Sequence, residues 1–163
     1  MDLSALQPLL SAVHGATVVC VGDLMVDRYV YGDVARVSPE APIPVLLSAS
    51  EQVMLGGVGN VARNVAGLGG RAALVGVIGK DAAGHEATAL VGQDPGLEGH
   101  LVVDPSRPTT VKTRFVASGQ QLLRLDAECA GAVDRDTETQ IARAVVHAAA
   151  DAGAILLSDY AKG

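Results

Sequence analysis

Aromatic side chains are scarce in this 163-residue sequence, which has three Tyr, one Phe and no Trp. A protein that grips single-stranded nucleic acid by stacking bases on aromatic rings has almost nothing to work with here. Charge is also sparse and of the wrong sign for a polyanion binder. Twelve Lys and Arg face eighteen Asp and Glu, for a net charge of −6. That argues against nucleic acid as a partner but leaves room for a small cationic pocket. The two cysteines, Cys20 and Cys129, are too few for a disulfide framework or a cysteine zinc site. No apolar run approaches the roughly 18 residues a membrane span needs. Met1-Asp2-Leu3 lacks the basic start of a signal peptide, so the cytoplasm is the expected compartment.

What the chain has instead is aliphatic bulk. Hydrophobic residues make up 49% and charged residues 18%, which excludes disorder and suits one domain with a substantial core. Thr17–Val21, Ala73–Ile78 and Ala154–Leu157 are short apolar runs without polar alternation, the pattern of central parallel strands covered on both faces. Helical spacing lies around them. Leu3, Leu6, Leu10 and Val13 form one face, ended by His14-Gly15; a second starts at Val58 and stops at Gly67–Gly70. A third comes after Asp81 as N-cap, and a fourth starts at Asp134 and ends at Gly153. Strands alternating with helices predict a doubly wound α/β sheet.

Two stretches break the alternation. Residues 29–55 carry Pro39, Pro42 and Pro44, which disallow a helix, and residues 109–126 alternate like a hairpin around Ser118-Gly119. Both fit an antiparallel flap. Placing Val111, Thr113 and Phe115 on one face with Leu123 and Leu125 calls for an odd, three-residue loop, Ser118-Gly119-Gln120. In that register Lys112 lies opposite Asp126 and Arg114 opposite Arg124. Two like charges facing each other make sense with an anion between them, and the plainer alternative is that both are solvated and splay apart.

Candidate chemistry concentrates at the ends of the strands. Gly56-Gly57-Val58-Gly59-Asn60 opens a helix, where glycines admit a ligand to the backbone and Asn60 can both donate to and accept from a sugar hydroxyl. A tight strand-to-helix turn explains the same glycines without a ligand. Gly57 to Ala62 formally matches a dinucleotide-binding G-x-G-x-x-A, but residues 48–54 before it are polar and mixed rather than a buried first strand. Asp23 and Asp27 lie after the first central strand, and Asp159 and Lys162 after the last. Open α/β sheets place ligands at such strand ends. The histidines, His14, His85, His100 and His147, show neither metal-ligand spacing nor a nucleophile partner.

Taken in order, five segments resemble the ribokinase-like (PfkB) carbohydrate kinases, and their heptose branch in particular. They are Val21–Tyr29, Arg36–Val45 with its Ser-Pro-Glu-Ala-Pro, Gly56–Asn64, Gln120–Asp126, and Ser158–Gly163 with Ser-Asp-Tyr-Ala-Lys-Gly. The resemblance implies a three-layer α/β/α sheet with a small β lid, truncated after the N-terminal part. It also implies phosphoryl transfer from ATP, with Mg2+, to the 1-hydroxyl of D-glycero-β-D-manno-heptose 7-phosphate. By the same likeness Asp23, Asp27, Gly56, Gly57 and Asn60 would hold sugar hydroxyls. Arg36, Lys112, Arg114 and Arg124 would meet the 7-phosphate, and Asp159 and Lys162 would complete the pocket. The lid would double as a homodimer interface. The family's second signature, Asp-Thr-x-Gly-Ala-Gly-Asp, carries the catalytic base and anion hole and is absent up to Gly163. The expectation is therefore a sugar-binding part that does not turn over alone, or a module that only binds sugar phosphate or dimerises.

Overall fold

In the computed structural model, which describes residues 6–162, a parallel four-stranded sheet stands between two layers of helices. Its order is β5 (Leu97–Val103), β4 (Arg71–Ile78), β1 (Thr17–Gly22), β8 (Ala154–Ser158). Alternation along the strands builds the layers. On one face Cys20, Ala72 and Leu74 pack with Val58 and Ala62 of α2 (Val58–Gly67) and with Ala87 and Val91 of α3 (Ala82–Gln93). On the other face Val19, Ala73 and Val75 pack under Ile141, Ala144, Val145 and Ala148 of α4 (Arg135–Ala149). Strands apolar on both faces, as β1 and β4 are, are what a sheet covered on both sides requires. Ala154–Leu157 departs from that expectation: β8 is the edge strand, and Ile155 and Leu157 are exposed on it. Full burial of a Val or Leu contributes roughly 1.5–3 kcal/mol.

Three expected helices, α2, α3 and α4, start where the sequence places them, while α4 ends at Ala149, short of the expected stop at Gly153. The Asp81 side chain accepts from Gly84 N at 2.8 Å, and the Asp134 side chain accepts from Thr137 N at 2.7 Å. The first helix, α1, runs Gln7–Val13, and the Leu3 position of its expected face lies outside the described residues. Strand β5 was not expected. Its first half reads Leu-Glu-Gly-His because it is the edge of the sheet and is covered unevenly.

A second four-stranded sheet forms the lid, in the order β3 (Pro44–Gly57), β2 (Leu24–Val37), β6 (Thr110–Ala117), β7 (Gln120–Ala127). It begins earlier and ends later than residues 29–55 suggested. Asp27 therefore lies within strand β2 rather than in a loop after β1. Prolines fall outside the β2–β3 pairing except Pro44, the first residue of β3, where a missing N–H is tolerated.

The β6–β7 register is the expected one, with Lys112 opposite Asp126 and Arg114 opposite Arg124. The expected three-residue loop is corrected. Ala117 pairs with Gln120, so the loop has two residues, Ser118 at φ 50° and Gly119 at φ 76°. Two consecutive positive φ angles fit a type I′ turn, whose twist matches that of the strands. The odd residue is Leu122, bulged between the Val116–Gln121 and Phe115–Leu123 pairs. Parity is preserved by a bulge in the strand instead of an extra residue in the turn.

At Gly119 an added methyl would meet nothing within 4 Å, so a substitution there reads backbone strain alone. Gly119→Ala is expected to lower stability by about 1–2 kcal/mol, the cost of a left-handed L-residue. Ser118→Asn should raise stability by a few tenths of a kcal/mol, since Asn tolerates that region better. Urea unfolding midpoints check both; an unchanged midpoint for Gly119→Ala would contradict the turn assignment.

Candidate functional site

The two sheets meet at Gly22-Asp23, directly beyond the carboxyl end of β1. Gly22 has φ 153°, and a Cβ there would lie 1.9 Å from the Ser158 carbonyl oxygen. Only glycine lets β1 lie this close to β8 before it turns into the lid. The Asp23 amide donates to Ser158 O at 3.1 Å, and its carbonyl accepts from Val58 N, the first amide of α2, at 3.0 Å. Asp23 Oδ2 accepts from the backbone amides of Tyr160 at 2.6 Å and Lys162 at 3.3 Å. One residue therefore joins β1, the start of α2 and the loop after β8.

A cavity of about 260 Å3 opens beside this joint, lined by Asp23, Gly76, Arg107, Ser158, Asp159 and Lys162 among others. Its polar side chains come from Asp23 after β1, from Ser158, Asp159 and Lys162 at and after the end of β8, and from Arg107 in the loop before β6; open α/β sheets bind ligands at such strand ends. The Asp159 side chain accepts from Ala161 N at 2.7 Å, and Ala161 is held at φ 56°, an uncommon conformation for a residue with a Cβ. Arg107, which the sequence did not single out, fixes the rim. Its Nη2 donates to the carbonyls of Gly131 at 2.5 Å, Lys162 at 3.0 Å and Cys129 at 3.4 Å. Arg107 also sets the environment of the Cys129 thiol, whose pKa is lowered by a hydrogen bond from the Gly131 amide and by the guanidinium.

The lid supplies a charged face. Period-two alternation and the β2–β6–β7 register place Asp27, Tyr29 and Tyr31 beside Lys112 and Arg114, and these beside Asp126 and Arg124. Arg114 Nη1 donates to Asp27 Oδ1 at 2.5 Å, and its guanidinium lies 5.0 Å over the Tyr29 ring. Arg124 Nε donates to Asp126 Oδ1 at 2.8 Å, and Lys112 Nζ donates to Asp126 Oδ2 at 2.9 Å. The two facing arginines do share one face, as the register required, and each turns toward a carboxylate. Gly56, opposite Met25, leaves room for Asp27; a Cβ there would lie 2.3 Å from Asp27 Oδ2. Gly57, at φ 54°, has equally little room beside the Asp23 carbonyl.

Glu128, also not anticipated, joins the lid to the cavity. Its Oε2 accepts from Lys112 at 3.0 Å and its Oε1 from Lys162 at 2.7 Å. Asn60 stands exposed on the first turn of α2. Arg36 is not brought to this cluster: it is exposed near the far end of β2, opposite Val45 and nine residues beyond Asp27, roughly 30 Å at the rise of an extended strand. Among the described residues no group of three or more His, Cys, Asp or Glu side chains is placed to hold a metal ion. No helix among them is long and apolar enough to cross a membrane.

A parallel α/β sheet with a β lid folded over its strand ends defines the ribokinase class of fold. The chain belongs to the pfkB family of carbohydrate kinases, whose family model matches residues 16–158. Escherichia coli phosphofructokinase-2, solved in complex with fructose-6-phosphate, superposes with a TM-score of 0.66 at 21% identity, over 89% of this chain and 45% of that one. Arabidopsis thaliana ribokinase, solved with ribose and ATP, gives 0.56 at 24% identity, over 88% and 45%. In sequence, the bifunctional protein HldE of Paramagnetospirillum magneticum is 49% identical over 99% of this chain and 33% of its own length. HldE of Caulobacter sp. is 51% identical over 97% and 32%. The chain thus spans about a third of the length of the curated relatives it matches.

Ionisation controls the lid's charge network. Hydrogen bonds from Lys112 and Arg124 hold the Asp126 carboxyl below its usual range, and those from Lys162 and Lys112 do the same for Glu128. Burial opposes the charge on Lys112, but its bonds to Asp126 and Glu128 outweigh that and raise its pKa. The depressed carboxyls contribute above their unfolded pKa values, near 4, and that contribution is lost as pH falls through the folded values. The raised lysine contributes below about 10.4 and loses its part as pH rises through the folded value. The network is therefore expected to stay whole at neutral pH and to open only in acid, below the ordinary carboxylate range. An NMR titration of the Glu128 side-chain carboxyl should place its midpoint below that of an ordinary glutamate; a midpoint at or above the ordinary value would disprove the pairing.

Proposed function

We propose that this chain is the sugar-phosphate-binding and lid part of a heptose kinase, which phosphorylates D-glycero-β-D-manno-heptose 7-phosphate at its 1-hydroxyl in the cytoplasm. Family membership and near-50% identity to HldE proteins support a heptose kinase domain. The observation that carries the reading is the joint itself. It puts Asp23 in the cavity lining with its backbone carbonyl against Gly57, and it sets the Asp27 carboxylate, four residues along the same lid strand, against Gly56. Carboxylates accept hydrogen bonds from sugar hydroxyls, and lysines and arginines suit a phosphate.

In this reading Asp23 keeps one oxygen on the Tyr160 and Lys162 amides and offers the other to the sugar. Asp27, oriented by Arg114, and Asn60 take further hydroxyls. Lys112, Arg114, Arg124 and Lys162, with Asp159 behind the loop, form the cationic side toward the 7-phosphate; Arg36, out on the distal lid, is not part of this set. ATP is the proposed donor, with Mg2+. The described residues do not fit that group. They hold no metal-ligand set, Arg107 Nη2 is committed to three carbonyls, and Lys162 is paired to Glu128. In this reading the chain contributes binding and orientation of the sugar phosphate. A homodimer through the lid fits the exposed Leu123 and Leu125 on the face opposite the charges.

Titration calorimetry tests the reading. The chain should bind heptose 7-phosphate more tightly than the unphosphorylated heptose. Asp27→Asn should weaken binding by about tenfold, the cost of losing one charged hydrogen-bond acceptor. Gly56→Ala should weaken it comparably, by pushing the Asp27 carboxylate aside. A coupled assay should detect no ATP- and heptose-dependent ADP release from the chain alone. Turnover there would overturn the expectation that the chain only binds, and equal affinity for the two sugars would reject the assignment.

A further inference from the structure

Glu128 occupies an unusual position. It is the first residue past β7, at the start of the 128–134 connection to α4, and its two carboxylate oxygens are divided between lysines from different parts of the fold. Lys112 comes from the lid strand β6, and Lys162 from the loop that lines the cavity. All three side chains are mostly shielded, with 14% of Lys112, 21% of Lys162 and 26% of Glu128 exposed. Two ammonium groups held around one anion are an anion subsite. The anion that fills it here is the protein's own.

We propose that Glu128 is a built-in occupant of this subsite, a carboxylate that keeps Lys112 and Lys162 together until the phosphate of a sugar phosphate displaces it. Rotation of one side chain is enough for the exchange. The backbone just beyond Glu128 stays anchored, because Arg107 holds the Cys129 and Gly131 carbonyls from the opposite side. Magnitudes favour displacement. Partly exposed carboxylate–lysine pairs are individually weak, whereas a phosphate brings more charge and three acceptor oxygens to the same two donors. Lys112 does not lose its place when Glu128 leaves, since Asp126 still accepts from it at 2.9 Å. The other groups facing the subsite, Asp126 and Arg124 on β7, already pair with each other at 2.8 Å. Release of Glu128 hands Lys162 to the phosphate, while Asp23 still holds the loop by two amides and Arg107 by the Lys162 carbonyl, so the site keeps its shape during the exchange. That sugar phosphate is the displacing ligand rests on the function proposed above; that Glu128 blocks an anion site does not.

The test uses inorganic phosphate as probe, monitored by 31P NMR and calorimetry on the 163-residue chain. Glu128→Gln, which keeps the shape and removes the charge, should bind phosphate about tenfold more tightly than the parent. Lys112→Met in the Glu128→Gln background should abolish the gain. Unchanged or weaker phosphate binding by Glu128→Gln overturns the proposal, because a carboxylate with a merely structural role leaves the lysines no better placed when it is removed. Glu128→Asp, which retains the charge but is too short to reach both lysines, gives the same comparison should the amide disturb the fold, with an intermediate gain expected. Heptose 7-phosphate is titrated in parallel. A gain for phosphate without any binding of heptose 7-phosphate leaves the occupant standing and ends the heptose reading. Heptose 7-phosphate binding of equal strength in parent and Glu128→Gln does the reverse.

Discussion

The crowding at Gly22-Asp23 governs where everything else can go. A parallel strand and a lid strand must connect within one residue, with β8 packed close enough to β1 that no side chain fits at Gly22. Asp23 then uses its amide, its carbonyl and its carboxylate on three different segments. Each bond is ordinary, worth about 1 kcal/mol net, or somewhat more for those to the charged carboxylate. Their common origin matters more than their sum. The start of α2, the loop after β8 and the first lid residue are all positioned relative to one residue, so the base of the lid cannot drift away from the strand ends.

The lid solves a problem that its alternation creates. Period two gives it one charged and one apolar face, and the register sets like charges Arg114 and Arg124 directly across from each other. Facing like charges are destabilising by a few tenths of a kcal/mol up to about 1. The penalty is avoided by turning each outward, Arg114 to Asp27 on the neighbouring strand and Arg124 to Asp126 two residues along its own. The opposite face carries Arg28, which is paired with Glu51 and bonded to Glu86 of α3 at 2.6 Å. That contact fastens the lid's base to the helical layer without using the charged face.

Much of this was readable from residue types alone, because the signals were local. Asp81 and Asp134 are N-caps recognisable by the helical spacing on their C-terminal side, and the apolar runs at 17–21 and 73–78 carry no alternation since both their faces are covered. The β6–β7 register was readable too, for a reason that proved only half right. Parity fixes which side chains share a face, but one extra residue in the turn and one bulged residue in the strand give the same parity. Sequence cannot separate them; the positive φ angles at Ser118 and Gly119 do. Strand β5 escaped because edge burial breaks its apolar run. Arg107 and Glu128 escaped for a different reason. Their partners lie 16 to 55 residues away, and nothing in the adjoining sequence marks them. The one available hint was the alternation Arg124, Asp126, Glu128, which continues the charged face past the strand's end.

An acidic chain that recognises an anion needs local charge to outweigh its total of −6. Across the lid face and the cavity loop, Lys112, Arg114, Arg124 and Lys162 stand against Asp27, Asp126 and Glu128. Four cations against three carboxylates leave only a small positive excess, too little to draw a phosphate strongly over distances where salt screens within about 8–10 Å. Replacing Glu128 with a phosphate dianion changes that balance to neutrality, with every cation still paired. The subsite is thus nearly satisfied when empty and fully satisfied when filled. Such an arrangement keeps two lysines from repelling each other in the free protein, and it exchanges two weak ion pairs for stronger ones on binding. Affinity at this site then depends on the difference between two anions rather than on the bare attraction of either.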